Sequence, residues 1–184
     1  MSQIDLAKKY QKKSDKQHIL DNPDTYIGSI ENVTTNCFIY DTSNSKICEK
    51  SIQFIPGLYK LFDEAIVNCR DHAIRMKQTS TDEKNYLVNN IAVSIDNDGT
   101  ISMFNDGNGI DVSIHPEYKI WIPELIFGHL LTSSTFTEEK RITAGTHGLG
   151  AKLTNIYSKK FEVTIGDSKN KKEYNQIFEN NLSK

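Results

Sequence analysis

The run Ala144-Gly145-Thr146-His147-Gly148-Leu149-Gly150-Ala151-Lys152 places three glycines and a lysine directly before an apolar segment, residues 153–157. Glycine lets backbone N–H groups turn toward a ligand without steric cost. A glycine-rich loop that leads into a helix is a typical phosphate site, because unpaired N–H groups and the helix dipole both favour an anion. The run therefore predicts an anion-binding loop, and the rest of the chain indicates which molecule carries the anion.

Length and composition are typical of one globular domain. The chain has 184 residues, of which 37% are hydrophobic and 25% charged, and its net charge of −2 excludes a generally basic, nucleic-acid-binding chain. No apolar run approaches the ~18 residues of a membrane span, and the polar start of the chain does not resemble a signal peptide. Three cysteines without CxxC spacing indicate the reduced thiols of an intracellular protein.

The first 20 residues are polar and rich in lysine, so they are either a solvated helix face or an arm that docks on a partner. The turn-forming run Asp21-Asn22-Pro23-Asp24 follows. Short apolar pieces separated by polar residues predict a hairpin within residues 31–50 and another extended segment at 51–55.

The clearest helix is predicted from Leu58 to about Lys77, because apolar residues recur there at helical spacing. Glu64, Asn68 and Asp71 stand at positions i, i+4 and i+7, which places them within roughly 60° of each other on the opposite face. This face is either an ordinary wet surface or a functional one.

Two strands are predicted at residues 91–95 and 100–104, joined by the hairpin turn Asn97-Asp98-Gly99. They lead into Asn105-Asp106-Gly107-Asn108-Gly109-Ile110, which is a plain turn or a ligand-facing loop. Further helices are predicted from Pro123 and over residues 149–158, with a polar, lid-like stretch at 132–143 between them. Strands at 161–165 and 174–178, with a turn at 166–172, complete an α+β sandwich rather than a regular βαβ series.

The sequence does not match either of two common phosphate-binding motifs, because the required residues are missing at the required spacing. Gly145 and Gly150 match the first part of the P-loop, but Ala151 occupies the lysine position and Leu153 follows Lys152 where a hydroxyl is needed. The dinucleotide fingerprint lacks its third glycine at both candidate sites.

The joint order of these motifs resembles the Bergerat ATP-binding fold of type II topoisomerases, Hsp90-type chaperones, MutL-type repair proteins and histidine kinases. Four separated blocks look like the N-terminal ATPase region of eukaryotic-type DNA topoisomerase II, in the same order. The blocks are Pro23-Asp24-Thr25-Tyr26-Ile27-Gly28-Ser29, the run from Pro56 to Glu64, the run from Ile122 to Ser134, and Gly148-Leu149-Gly150-Ala151-Lys152-Leu153.

This resemblance implies a GHKL two-layer α/β sandwich, with a mixed, mostly antiparallel sheet covered by helices on one face. It implies an N-terminal arm at residues 1–30 and an ATP-binding domain at 31–184, incomplete at its C-terminus. The family's transducer domain and DNA-cleaving core have no counterpart in the sequence.

The resemblance also implies a role for each motif, with ATP and Mg²⁺ as cofactors. Glu64 is the expected general base for the attacking water. Asn68 is the expected magnesium ligand beside the phosphates, with Asp71 behind it. Asp106 is expected to accept a hydrogen bond from the adenine amino group. The other expected nucleotide contacts are Asn105, Gly107, Gly109, Ile110, Ser133, Ser134, Thr135, Gly145, Thr146, His147, Gly148, Leu149, Gly150, Ala151 and Lys152.

Tyr10 matches a tyrosine that reaches the partner subunit's nucleotide, although an ordinary surface tyrosine is the alternative. Three positions depart from the family: Thr146-His147 stands where Arg-Asn is usual, and Thr135 stands where Asn is usual.

The implied function is the ATP-dependent gate of a topoisomerase that forms a homodimer on ATP and acts on DNA through the full-length enzyme. The expected location is intracellular: the nucleus in a eukaryote, and otherwise the cytoplasm or a virus. One alternative is a nucleotide-binding or dimerisation module without turnover of its own. Another is a chaperone-type or repair-type Bergerat protein, against which the first and third blocks argue.

Overall fold

The computed structural model describes residues 9–10, 12–79, 87–130, 132 and 148–183. The chain divides into two compact units, residues 1–57 and residues 58–184. The predicted division into an arm at 1–30 and a domain at 31–184 stays a prediction.

The described part of the first unit contains two short helices and a hairpin. Helix α1, Asp15–Asp21, begins where the Ser14 hydroxyl accepts the N–H of Gln17, and α2, Pro23–Tyr26, has its proline in the first turn. Strands β1, Val33–Asp41, and β2, Lys46–Phe54, pair antiparallel along their whole length. The predicted hairpin is confirmed, and the separately predicted extended segment at 51–55 is the second half of β2.

Helix α3, Pro56–Thr79, is the longest element, and the helix predicted for residues 58–77 is confirmed. Strands β3, Ile91–Ile95, and β4, Ile101–Asn105, form the predicted hairpin, in which Gly99 adopts φ +85° at the turn. Such a conformation favours glycine. One face of this hairpin is aliphatic and 40–65% exposed at Ile91, Val93, Ile95 and Ile101.

The last four elements build the main core. They are α4, Ile122–Gly128; α5, Gly150–Ile156; β5, Lys160–Asp167; and β6, Lys172–Glu179. Both strands are longer than predicted, because their pairing continues to Asp167 and Lys172 and leaves a shorter turn. Val163, Ile165 and Phe178 of β5 and β6 form one buried cluster together with Val112, which precedes α4.

The described strands pair only within three antiparallel hairpins. The expected antiparallel pairing is therefore present, and among the described residues each strand pairs with the other strand of its own hairpin. Local pairing dominates because each hairpin is closed by a short turn. None of the described helices is long and apolar enough to cross a membrane.

Candidate functional site

Glu64 links helix α3 to the start of helix α5. Its Oε1 atom lies 2.6 Å from the Nζ of Lys60, one turn earlier on α3. Its Oε2 atom lies against Gly150, where the Cβ of any larger residue would collide with the carboxylate. The hydroxyl of Thr154 also joins the two helices, since it lies 3.3 Å from the carbonyl of Leu61. The carboxylate is thus held directly beside the first residue of α5.

Asn68 lies one turn after Glu64 and is exposed. Its Nδ2 donates a hydrogen bond of 2.7 Å to the backbone carbonyl of Glu64. Because the nitrogen is used in this way, the amide presents Oδ1 as its acceptor atom.

Asp71 differs from these two residues because it is only 4% exposed. Its Oδ1 accepts a hydrogen bond of 3.2 Å from the guanidinium of Arg70. The three polar residues that share a helix face in the sequence therefore have distinct surroundings: Glu64 is paired, Asn68 is exposed and Asp71 is buried.

The loop after β4 is held from two sides. The Nε2 of His72 on α3 lies 2.6 Å from the backbone carbonyl of Asn108, and the hydroxyl of Ser168 donates to Asn108 Oδ1 at 2.6 Å. Burial lowers the pKa of His72, so its neutral form donates from Nε2 at neutral pH. Gly109 passes so close to the carbonyl of Gly166 that a Cβ would collide with it.

Asp106 is engaged with the segment before β3. Its Oδ1 accepts the N–H groups of Asn89 and Asn90 at 2.6 and 2.9 Å, and its Oδ2 accepts from the Asn90 amide at 3.3 Å. The N–H of Asn90 is the main cause of the lowered pKa of this carboxyl group. The adjacent Gly107, at φ +95°, lies where a Cβ would come within 2.8 Å of Val88.

Asn105 and Ile110 flank this loop. Asn105 ends β4, is half-buried, and uses its Nδ2 to donate to the Asp106 carbonyl at 3.1 Å. Ile110 packs against the buried core cluster. The loop therefore begins with an amide oxygen and ends with an apolar anchor.

The described end of the glycine run forms the start of α5. Gly148 has φ +60°, and the first intrahelical bond runs from the N–H of Leu153 to the carbonyl of Leu149. The amides of residues 150–152 therefore precede that bond, as in any first helical turn. Leu149, Gly150 and Ala151 are partly exposed there.

Lys152 is buried behind this turn, with 2% of its surface exposed. Its Nζ donates to the carbonyls of Thr132, at 2.6 Å, and of Gly148. Burial lowers the pKa of this ammonium to about 8.

The remaining site predictions lie elsewhere. Ser133, Ser134, Thr135, Gly145, Thr146 and His147 lie outside the described residues. Tyr10 belongs to the first unit and is 71% exposed, with the Nζ of Lys9 lying 5.5 Å from the centre of its ring.

Three contacts that hold the site together were not predicted. The pairing of Lys60 with Glu64 has a sequence signal, since charges of opposite sign at i and i+4 meet on a helix. The bond between His72 and Asn108 has no such signal, because the residues are 36 positions apart. The same holds for the bond between Lys152 and Thr132, which spans 20 positions.

Comparisons with known proteins agree on one family. A DNA topoisomerase 2 of Plasmodium falciparum is 46% identical over 180 residues, 97% of this chain and 13% of that protein. A DNA topoisomerase 2 of Acanthamoeba polyphaga mimivirus is 45% identical over 183 residues, 96% of this chain and 14% of that protein.

The solved ATPase region of Saccharomyces cerevisiae topoisomerase II superposes with a TM-score of 0.86 at 42% identity, over 96% of this chain and 45% of that one. No protein-family model matches. This chain thus spans a small part of the length of its curated relatives. Along nearly its whole length the chain is a homologue of the ATPase region of eukaryotic-type DNA topoisomerase II, and it has the GHKL (Bergerat) fold of that region.

Proposed function

We propose that this chain binds ATP and hydrolyses it as part of the ATP gate of a type II DNA topoisomerase. The contact between the Glu64 carboxylate and Gly150 carries the proposal. It places a basic oxygen beside the helix turn whose free amides favour phosphate.

Glu64 is proposed to act as the general base. Its carboxylate would take a proton from a water whose oxygen attacks the γ-phosphorus, while the bond to ADP breaks. Lys60 fixes one carboxylate oxygen, so the other is left to face the water. This arrangement suits a base that must be oriented before the reaction begins.

Asn68 is proposed to hold Mg²⁺ together with the phosphates. Its exposed Oδ1 fits a hard cation, because magnesium prefers oxygen ligands and retains waters beside a few protein groups. The described residues contain no cluster of three or more His, Cys, Asp or Glu that could hold a metal without the nucleotide. When bound, magnesium would neutralise charge on the phosphates.

Asn105 and Asp106 are both proposed to serve the adenine end of the pocket. Asp106 already accepts three hydrogen bonds from the segment before β3, so its first role is to fix that segment beside Gly107. Asn105 keeps an amide oxygen that can accept from the adenine amino group. The hydrogen bond from the adenine amino group is therefore assigned to Asn105, and Asp106 is assigned the role of fixing the adjacent segment.

The remaining contacts are proposed from the resemblance. Ser133, Ser134 and Thr135 would contact ribose or phosphate oxygens, and residues 145–151 would surround the phosphates. Tyr10 would reach the nucleotide of a second copy in an ATP-dependent homodimer. DNA would be bound by the complete enzyme, which implies the nucleus in a eukaryotic host, and otherwise the cytoplasm or a virus.

Calorimetric titration of the 184-residue chain with Mg-ATP tests the binding half of the proposal. We expect saturable binding that weakens in Asn105→Ala and Asn68→Ala. Steady-state phosphate release tests the other half, and we expect Glu64→Ala to abolish it while binding persists. Phosphate release that is unchanged in Glu64→Ala would exclude Glu64 as the base.

A binding module without turnover is the second candidate. It is favoured by Lys152, whose ammonium is engaged by two carbonyls rather than by an open phosphate site. Binding of Mg-ATP without any phosphate release that depends on Glu64 would support it over hydrolysis.

A further inference from the structure

Lys152 is a buried cation whose ammonium donates hydrogen bonds to two neutral carbonyl groups, those of Thr132 and Gly148. Removing an ammonium from water is costly unless a charge of opposite sign compensates it. Carbonyl dipoles compensate only part of that cost. The ammonium therefore lies in an environment that favours either its neutral form or the arrival of an anion.

The carboxylates on neighbouring elements are already engaged. Glu64 on α3 pairs with Lys60, and Glu162 on β5 pairs with Lys160. Asp167, at the end of β5, accepts from Val112 and Asn170. Among the described residues, Glu124 of α4 forms no ion pair with Lys152, and the ring of His129, which follows α4, forms no hydrogen bond with it. Within the described part of the chain, no carboxylate lies within ion-pair distance of this ammonium.

The position of Lys152 identifies the anion that could compensate it. Its Nζ binds the carbonyl of Gly148, directly behind the turn whose amides are proposed to face phosphate. We propose that Lys152 takes up a proton when the polyphosphate of the nucleotide binds in front of this turn. The proposal rests on the proposed nucleotide site and adds a property to it, namely that binding is coupled to the protonation of one residue.

The direction of the coupling follows from linkage. Burial lowers the pKa of the free Lys152 ammonium to about 8, and a nearby polyphosphate favours its charged form. Uptake should then be about 0.1 proton per nucleotide at pH 7, about 0.5 at pH 8, and more at pH 9. Because protons and nucleotide bind together, affinity should be about tenfold lower at pH 9 than at pH 7.

Calorimetry of the 184-residue chain tests the coupling. Magnesium and a non-hydrolysable ATP analogue are titrated at pH 7, 8 and 9, in pairs of buffers that differ in ionisation enthalpy. The difference in heat between two buffers gives the number of protons exchanged. We expect the number of protons taken up per nucleotide to rise with pH as described above. The phosphates are already fully ionised in this pH range, so they do not contribute to the uptake.

Two variants assign the proton. Lys152→Arg keeps a cation that does not deprotonate in this range, so it should bind the analogue without proton uptake. Lys160→Arg changes an exposed lysine on β5 that pairs with Glu162, and it should behave like the unmodified chain.

The outcomes separate this inference from the proposed function. Binding with no buffer-dependent heat at pH 8 overturns the inference and leaves the nucleotide site intact. Proton uptake that persists in Lys152→Arg assigns the proton to another group and also overturns it. The absence of binding at every pH overturns both proposals.

Discussion

The Nζ of Lys60 and the Oε1 of Glu64 lie 2.6 Å apart, one turn from each other on α3. The hydrogen bond that Lys60 donates to Glu64 raises the pKa of Lys60, so the lysine stays charged throughout the neutral range. Asp63 lies farther from the same ammonium, at 3.7 Å. Lys60 therefore positions the proposed base rather than reacting itself.

Lys60→Met should slow phosphate release by roughly tenfold with little change in nucleotide affinity, because the carboxylate loses the group that orients it. Lys60→Arg should retain most of the rate. Steady-state phosphate release and calorimetric binding separate the two effects. The control is Lys50→Met, which breaks the ion pair of 2.9 Å with Asp41 in the first unit. A loss of affinity equal to the loss of rate would argue against a positioning role.

Gly150→Ala should abolish turnover without unfolding the chain. The new methyl group would collide with the carboxylate of Glu64 and displace it, whereas alanine is otherwise favourable in a helix. Phosphate release measures turnover, and a thermal melt shows whether the chain is still folded. Gly166→Ala is the matched control, because no atom lies within 4 Å of the added Cβ. Full activity in Gly150→Ala would contradict the proposed position of the base.

Asp106→Ala should loosen the segment before β3. The amide protons of Asn89 and Asn90 should exchange severalfold faster, because they lose their carboxylate acceptor. The lowered pKa of Asp106 means that its contribution is present above its unfolded pKa of 3.8 and is lost as the pH falls through the lower folded value. Hydrogen exchange followed by NMR measures this.

Asn105→Ala provides the contrast to Asp106→Ala. It should leave the exchange of Asn89 and Asn90 unchanged and should weaken ATP binding. If it left ATP binding intact while Asp106→Asn abolished it, Asp106 and not Asn105 would be the residue that reads adenine.

Lys152→Met should change the pH dependence of folding. The pKa of Lys152 falls from 10.5 to about 8 on folding, so the unfolded chain binds more protons between these values. The unmodified chain should therefore gain stability relative to the variant as the pH rises from 8 to 10.5, by about 3 kcal/mol in total. Urea unfolding of both proteins at pH 7 and pH 10 gives the difference. A stability difference that does not vary with pH would show that Lys152 is solvated in the folded chain.

The sequence predicts most elements of this fold correctly, because apolar periodicity and turn residues act locally. Helix α3 and the β3–β4 hairpin illustrate this, since each follows from the spacing of its own residues. The strand ends at Asp167 and Lys172 were less predictable, because the pairing of β5 with β6 extends into residues typical of turns.

The sequence predicts which types of residue form the candidate site, but it says less about which groups those residues bind. A carboxylate such as Asp106 is recognisable as an acceptor, but the sequence does not say that backbone N–H groups 16 and 17 positions away will use it. Lys152 is recognisable as a cation, yet its burial depends on how α4 and α5 pack. Partners of this kind are set by tertiary structure and not by local pattern.

The way in which the Asn108 loop is held has a consequence for folding. Its two anchors, His72 and Ser168, lie 36 and 60 residues away along the chain. Contacts that close long segments of chain cost more entropy and form later than local helices and hairpins. During synthesis the loop can acquire its final shape only after Ser168 has left the ribosome, so the proposed adenine pocket is among the last parts of the second unit to form.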